Sequence, residues 1–327
     1  MRRPDGDLVL QRFPLRHDDP LQAWDAADEY VLDHLTVEGL LDSAPRLLIV
    51  NDAFGALAVA LRDHSPTVWS DSHLARLALA HNLEGNGAAA DVVPFVPGDR
   101  DPDGPFDLVL LKLPKSLAWL EDQLRRLRPR LAPGARIVAG GMIKHTPMRA
   151  YRLLEEIVGP TTTSRGWKKA RLAFAEFDEA LTPPPSSGLE GYALDDIGLE
   201  LKARPNVFAA ERLDIGTRML LAHLPESDRP LRAVDLGCGN GALGLALLRR
   251  CPAAEVLFVD ESYQAVACAR DNADAAGFAD HEFEVADGLH ACEQESFDLV
   301  LCNPPFHQAQ AVGDLTAWRM FEQARRT

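Results

Sequence analysis

The sequence predicts an α/β protein of two tandem, doubly wound domains, and three observations predict it. Apolar strand-like runs alternate with Ala/Leu-rich helical stretches, the pattern of right-handed βαβ crossovers and a mainly parallel sheet covered on both faces. The order also repeats. RLLIVNDAFGALAVAL (46–61), TVWSDSHLARLALAHNLEGNG (67–87) and FDLVLLKLPKS (106–116) return as RAVDLGCGNGALGLAL (232–247), VLFVDESYQAVACARDNADAAG (256–277) and FDLVLCNPPFH (297–307). The pairs Gly55/Gly241, Asp71/Asp260 and Phe106/Phe297 keep step with only small insertions, as in a duplicated domain. Finally, the 327 residues are enough for about two cores at roughly 150 residues per domain.

Each copy opens on an apolar strand, turns into an Ala/Leu helix, and runs through a second apolar strand that ends in Asp71 or Asp260. A second helix follows, then a third strand, then FDLVL as the fourth. The first copy continues with a helix near SLAWLEDQLRRLRP, a strand near ARIVAGG, a helix near MRAYRLLEEIVG and a strand near KKARLAFAEF. TPPPSSG (182–188) is a Pro/Ser/Gly interruption and closes a first domain at 1–188. Residues 189–230 read as a lead-in with a helix inside RPNVFAAERLDIGTRMLLAHLP, and the second domain spans 231–327. After its fourth strand that domain shows one helix, DLTAWRMFEQARR, and no counterparts of the later strands. Its sheet is therefore expected to be truncated, with apolar surface uncovered.

Composition narrows the function classes. A formal net charge of -15 opposes wholesale nonspecific binding to nucleic acid, while leaving room for a local basic patch. No apolar run approaches the roughly 18 residues of a membrane span, and MRRPDGDLVLQRFP lacks a signal-peptide core, so a cytoplasmic protein is expected. The five cysteines (Cys238, Cys251, Cys268, Cys292, Cys302) show no C-x-x-C spacing and sit in apolar patterns; no metal is expected.

VDLGCGNG (234–241) sets Asp235 at a strand end and Gly237, Cys238, Gly239, Asn240 and Gly241 in the turn entering a helix. Glycine lets backbone approach a ligand, and the carboxyl ends of strands are where doubly wound sheets bind one. Asp260 can accept from both hydroxyls of a ribose, and Asp287, after the third strand, is placed for an adenine amine. A dinucleotide dehydrogenase would offer similar groups, so the fourth strand decides. It ends in Asn303, Pro304, Pro305 and Phe306. An aromatic amine delocalises its lone pair into its ring, and two acceptors aimed at its hydrogens localise that pair on nitrogen for attack on a methylsulfonium carbon. The Asn303 side-chain oxygen and the Pro304 carbonyl supply them, the Pro-Pro pair stiffens the turn, and Phe306 can stack on the extruded base. His307 reads as an ordinary loop histidine.

These residues resemble the class I (Rossmann-like) methyltransferases that use S-adenosylmethionine and carry Asn-Pro-Pro-Phe/Tyr to methylate planar amines. LQRFP (10–14), LQAWDAADEY (21–30), NDAFGAL (51–57), GPTTTSRGWKKARL (159–172) and CNPPFHQ (302–308) make nearly the whole chain similar to the ribosomal RNA guanine-N2 methyltransferases, above all those of the 23S, large-subunit type. The resemblance implies S-adenosylmethionine as cofactor and large-subunit ribosomal RNA, naked or in an assembly intermediate, as partner. It also implies a chain that continues through further strands.

The first copy has Ile49, Asn51 and Ala53 opposite Asp235, Gly237 and Gly239, so no cofactor is expected there. Lys112 and Leu113 stand opposite Asn303 and Pro304; lysine only donates and cannot activate an amine. This half is expected to be catalytically dead and to hold RNA instead. Lys112 and Lys115 are expected phosphate contacts at the old site edge, with a basic stretch of Lys144, Arg149, Arg165, Trp167, Lys168, Lys169 and Arg171 beside them. The competing readings are methylation of another planar amine (adenine N6, protein glutamine) and a noncatalytic RNA-binding scaffold.

Overall fold

A computed structural model describes the protein except for residues 2–5, 18, 187, 189, 210, 211, 291, 294 and 306–310 and the side chains of 196 and 311–315. The chain forms two compact units, Met1–Ser187 and Gly188–Thr327. The segment expected as a separate lead-in belongs to the second, because Leu199, Leu201 and Leu224 are buried in that unit's core.

The first unit begins with helix α1 (Ala26–Val37), started by a capping box in which Asp25 accepts from the Ala27 and Asp28 amides and Asp28 answers to the Asp25 amide. There follow β1 (Leu47–Val50), α2 (Ala56–Ala60), β2 (Thr67–Ser70), α3 (His73–Gly85), β3 (Phe95–Pro97) and β4 (Phe106–Lys112). Then come α4 (Leu117–Leu127), β5 (Leu131–Met142), α5 (Met148–Ile157), β6 (Thr161–Thr163) and β7 (Ala170–Glu176). The strands form one sheet in the order β3-β2-β1-β4-β5-β7-β6. β1 to β5 pair in parallel, while β7 runs antiparallel to both neighbours. Apolar clusters cover both faces, which explains why β1 is buried at every position.

The second unit starts with a hairpin of β8 (Tyr192–Leu194) and β9 (Leu199–Leu201), then α6 (Ile215–Leu221). Next are β10 (Leu231–Leu236), α7 (Ala242–Arg250), β11 (Ala254–Asp260), α8 (Tyr263–Ala276), β12 (Glu282–Val285), β13 (Leu299–Cys302) and α9 (Ala311–Ala324). The sheet order β12-β11-β10-β13 repeats β3-β2-β1-β4, all parallel. Among the described residues β13 pairs on one side only, and Ile215, Met219 and Trp318 are exposed apolar side chains of this unit.

The repetition extends to individual side chains. Asp107 accepts from the Arg46 amide at 2.8 Å with the Arg46 guanidinium over Phe106; Asp298 accepts from the Arg232 amide at 2.9 Å with Arg232 over Phe297. Buried Asn82 donates to the carbonyls of Gln11 and Phe54 and accepts from the Gln11 amide. Buried Asn272 does the same with Lys202, Asn240 and the Lys202 amide. No described helix is long and apolar enough to cross a membrane.

Candidate functional site

The turn between β10 and α7 holds Gly237, Gly239 and Gly241 at φ 74, 55 and 83, all left-handed, which is why three glycines are written there. The turn hangs on β11 through amides of Gly237 and Cys238 bonded to the Val259 carbonyl at 2.8 and 3.0 Å. A Cβ on Gly239 would meet nothing closer than the Phe208 carbonyl at 4.0 Å, and one on Gly237 would press the Met320 methyl at 3.1 Å. The turn is therefore a bare cradle, with Phe208 and Met320 at its margin.

Asp260 ends β11 and takes the Gly239 amide at 3.1 Å on one oxygen and the Ser262 amide at 2.9 Å on the other. The Glu261 amide bonds it as well, so of a carboxylate's roughly four acceptor sites about one is left for a ribose hydroxyl. Burial raises its pKa, so hydroxyl donors would find a carboxylate poorly served by water. A cradle with a carboxylate at its lip fits an adenosyl group.

Three sequence-predicted contacts take other roles. Asp235 is 1% exposed behind the turn, where it accepts from the Gly244 amide of α7 at 2.8 Å; burial pushes it up to about 7. It shapes the turn from behind. Asn240 is also turned inward, donating to the Tyr192 hydroxyl at 3.0 Å. Asp287 does not point a free carboxylate at the cradle: Arg319 of α9 engages its two oxygens at 3.1 and 2.5 Å. Buried Cys238 has its thiol pKa pushed well above the ordinary value by burial.

Beyond β13, Asn303 is half-buried, Pro304 buried and Pro305 exposed, while Phe306 and His307 lie outside the described residues. The Asn303 Nδ2 donates to Asp214 Oδ2 at 3.1 Å and to Thr217 Oγ1 at 2.9 Å. Asp214 is the N-cap of α6, bonded by the Gly216 and Thr217 amides and by the Thr217 hydroxyl. Burial works against its ionised form, but those hydrogen bonds and the one from Asn303 hold its pKa below the ordinary value. A Cβ on Gly216 would fall 2.5 Å from Asn303 Oδ1. Sequence reading missed Asp214 and Thr217 because D-I-G-T at a helix start looks like an ordinary cap.

The corresponding place in the first unit is filled. Asn51, at φ 62, donates to the Lys112 carbonyl at 3.1 Å and exchanges hydrogen bonds with Gln123 at 2.9 Å in both directions. The Lys112 ammonium sits 2.8 Å from Asp25 and 2.5 Å from Asp28. Burial alone would lower its pKa, but Asp28 and Asp25 raise it, so it stays charged. One ammonium between two carboxylates leaves net negative charge. Lys112 is thus a structural ion-pair partner, not the phosphate contact expected from sequence.

The basic stretch is partly self-paired. Lys168 reaches Glu29 at 2.9 Å and lies 4.4 Å from the Trp167 ring centroid; Arg149 reaches Glu156 at 2.6 Å. Arg171 is half-buried with its Nε unpartnered, and Trp167 packs against Tyr30 with ring centroids 5.5 Å apart and planes tilted by 45°. Lys115, Lys144, Arg165, Lys168 and Lys169 are exposed. Lys168 and Lys169 form a two-residue turn, both at positive φ (46 and 67), closed by paired amides of Trp167 and Ala170. Among the described residues no cluster of His, Cys, Asp or Glu could hold a metal.

Comparison with known proteins gives three findings. A family model described as RLMG N-terminal domain matches residues 1–179, and one described as Methyltransferase small domain matches 198–327. The ribosomal RNA large subunit methyltransferase G of Pseudomonas entomophila (strain L48) is 50% identical over 98% of this chain and 86% of its own length. That of Pseudomonas paraeruginosa (strain DSM 24068 / PA7) is 52% identical, with the same coverage. Among solved structures, the Thermus thermophilus (T. Thermophilus) 16S rRNA N2 G1207 methyltransferase RsmC, in complex with AdoMet and guanosine, is 24% identical at TM-score 0.74, covering 99% of this chain and 85% of that one. That likeness establishes the fold.

Proposed function

The chain belongs to the ribosomal RNA large subunit methyltransferase G family, and from that premise we propose that it methylates the exocyclic N2 amine of a guanine in 23S ribosomal RNA, using S-adenosylmethionine, in the cytoplasm. The observation that carries the reading is the meeting, in one unit, of the bare glycine turn after β10 and Asp260 of β11 with an Asn-Pro-Pro corner at the end of β13, the strand paired with β10.

When bound, S-adenosylmethionine supplies an electrophilic methyl on a cationic sulfonium. The glycine turn admits the adenosyl group and Asp260 accepts from a ribose hydroxyl. Asn303 Oδ1 and the Pro304 carbonyl accept the two amine hydrogens, leaving the nitrogen lone pair directed at the methyl carbon. The N–C bond forms as the S–C bond breaks, and the extra proton leaves nitrogen afterwards, so no strong base is required. We assign RNA holding to the first unit, through Lys115, Lys144, Arg165, Lys168 and Lys169 with Trp167 beside them.

Radiolabelled methyl transfer is measured on naked 23S RNA, assembled subunits, DNA and protein, with product nucleosides separated. Label in 2-methylguanosine supports the reading; label confined to DNA or protein sinks it.

A further inference from the structure

The amide of Asn303 can serve only in one of its two flips. Activation requires Oδ1 toward the substrate amine and the NH2 end away from it. Asp214 can only accept, and the single hydroxyl proton of Thr217 is spent on Asp214, so the Thr217 oxygen is also left as an acceptor toward Asn303. Two acceptors facing one end of the amide demand its NH2 there. Gly216 completes the seat, since any side chain would strike Oδ1.

The first unit shows the same construction with other chemistry. Lys112 holds the place of Asn303, and the groups it meets, Asp25 and Asp28, are the N-cap and third residue of α1, as Asp214 and Thr217 are of α6. A donor at the fourth-strand end matched to acceptors in the first turn of the leading helix is thus a property of both units. The identity of the donor separates a closed ion pair from an amide with one end left over.

We infer that Asp214 and Thr217 are positioning residues for methyl transfer: they fix the Asn303 amide with Oδ1 toward the substrate amine. A hydrogen bond to a carboxylate also polarises the amide and strengthens Oδ1 as an acceptor. This rests on the methyl-transfer reading above.

The test uses full-length wild type, Thr217→Val, Thr217→Ser, Asn303→Ala and the Asn303→Ala/Thr217→Val double variant. S-adenosylmethionine affinity is measured by calorimetry and kcat and KM on ribosomal RNA. Thr217→Val is expected to lower kcat about tenfold, equivalent to about 1.4 kcal/mol, with KM and cofactor affinity unchanged. Thr217→Ser restores kcat, and in the Asn303→Ala background the valine costs nothing further. Wild-type kcat in Thr217→Val, no rescue by serine, or an undiminished valine effect without Asn303 would each overturn the inference. Should wild type transfer no methyl to RNA, the function reading fails separately. The seat is then still decided by NMR of the Asn303 side-chain NH2, whose hydrogen exchange is slow in wild type and fast in Thr217→Val if the lock exists, and equally fast in both if it does not.

Discussion

Lys112 and Asn303 hold the same place in the two units, each just at the end of a fourth core strand and each bonded to the first turn of the helix that leads its unit. In the first unit the arrangement is an ion pair with Asp28 only 7% exposed. Removing one partner of a buried pair leaves the other charge without water or counterion, which typically costs about 3–5 kcal/mol. Lys112→Met is therefore expected to lower the unfolding free energy of the first unit, read from urea denaturation, by that order and to leave cofactor affinity unchanged. RNA affinity lost with no loss of stability would restore Lys112 as a phosphate contact.

One cofactor per chain is the second expectation. Asn51 fills the corner that Gly237 leaves bare, tying the turn to the Lys112 carbonyl and Gln123. Calorimetry with S-adenosylmethionine should return a stoichiometry of one, and Asp260→Ala should abolish it, because the variant also orphans the Gly239 and Ser262 amides at about 1–3 kcal/mol each. A stoichiometry of two, with one site of unchanged affinity in Asp260→Ala, would place a second site in the first unit.

How much of this was legible in the sequence follows from range. The alternation of strands and helices, the glycine turn and the strand-ending position of Asp260 rest on local patterns, strand-turn-helix and a strand-ending aspartate, and could be read directly. Asp235 could not be assigned to its buried role, since the same letters serve a ligand contact or a helix amide behind the turn. Lys112 and Asp287 were misread for another reason: their partners, Asp25, Asp28 and Arg319, lie far away in sequence and only folding brings them close. The β8–β9 hairpin escaped because three-residue strands carry too little periodicity to register.

Gly216→Ala tests the seat of Asn303 sterically. Its Cβ would lie 2.5 Å from Oδ1, so Asn303 must move. Alanine is otherwise the better helix residue, by about 1 kcal/mol. The expected result is reduced kcat with unchanged or raised thermal stability. Full activity would show that the position of Asn303 tolerates displacement.

Asp235 makes stability depend on pH. Its folded pKa of about 7 lies above the ordinary aspartate value of 3.8, so the folded state binds more protons between those values. The contribution is fully present below the unfolded pKa and is lost as pH rises through the folded one. Asp235→Asn removes this dependence. The unfolding free energy of wild type minus that of Asp235→Asn is therefore expected to fall from pH 4 to pH 8; a difference independent of pH would show that Asp235 is ionised throughout.

The Lys168–Lys169 turn sets stability against RNA binding. Two-residue hairpin turns with both residues at positive φ favour Asn-Gly, and each lysine held there costs energy that Asn-Gly would recover, about 1 kcal/mol or more together. The Glu29 ion pair is too exposed to offset this, with Lys168 59% exposed. Lys168→Asn/Lys169→Gly is therefore expected to raise the unfolding midpoint. If the lysines contact phosphate, the same variant weakens ribosomal RNA binding and reduces the slope of log affinity against log salt by about 1–2. A stabilised variant with wild-type affinity and salt slope would remove this hairpin from the RNA surface and leave its strain without a function.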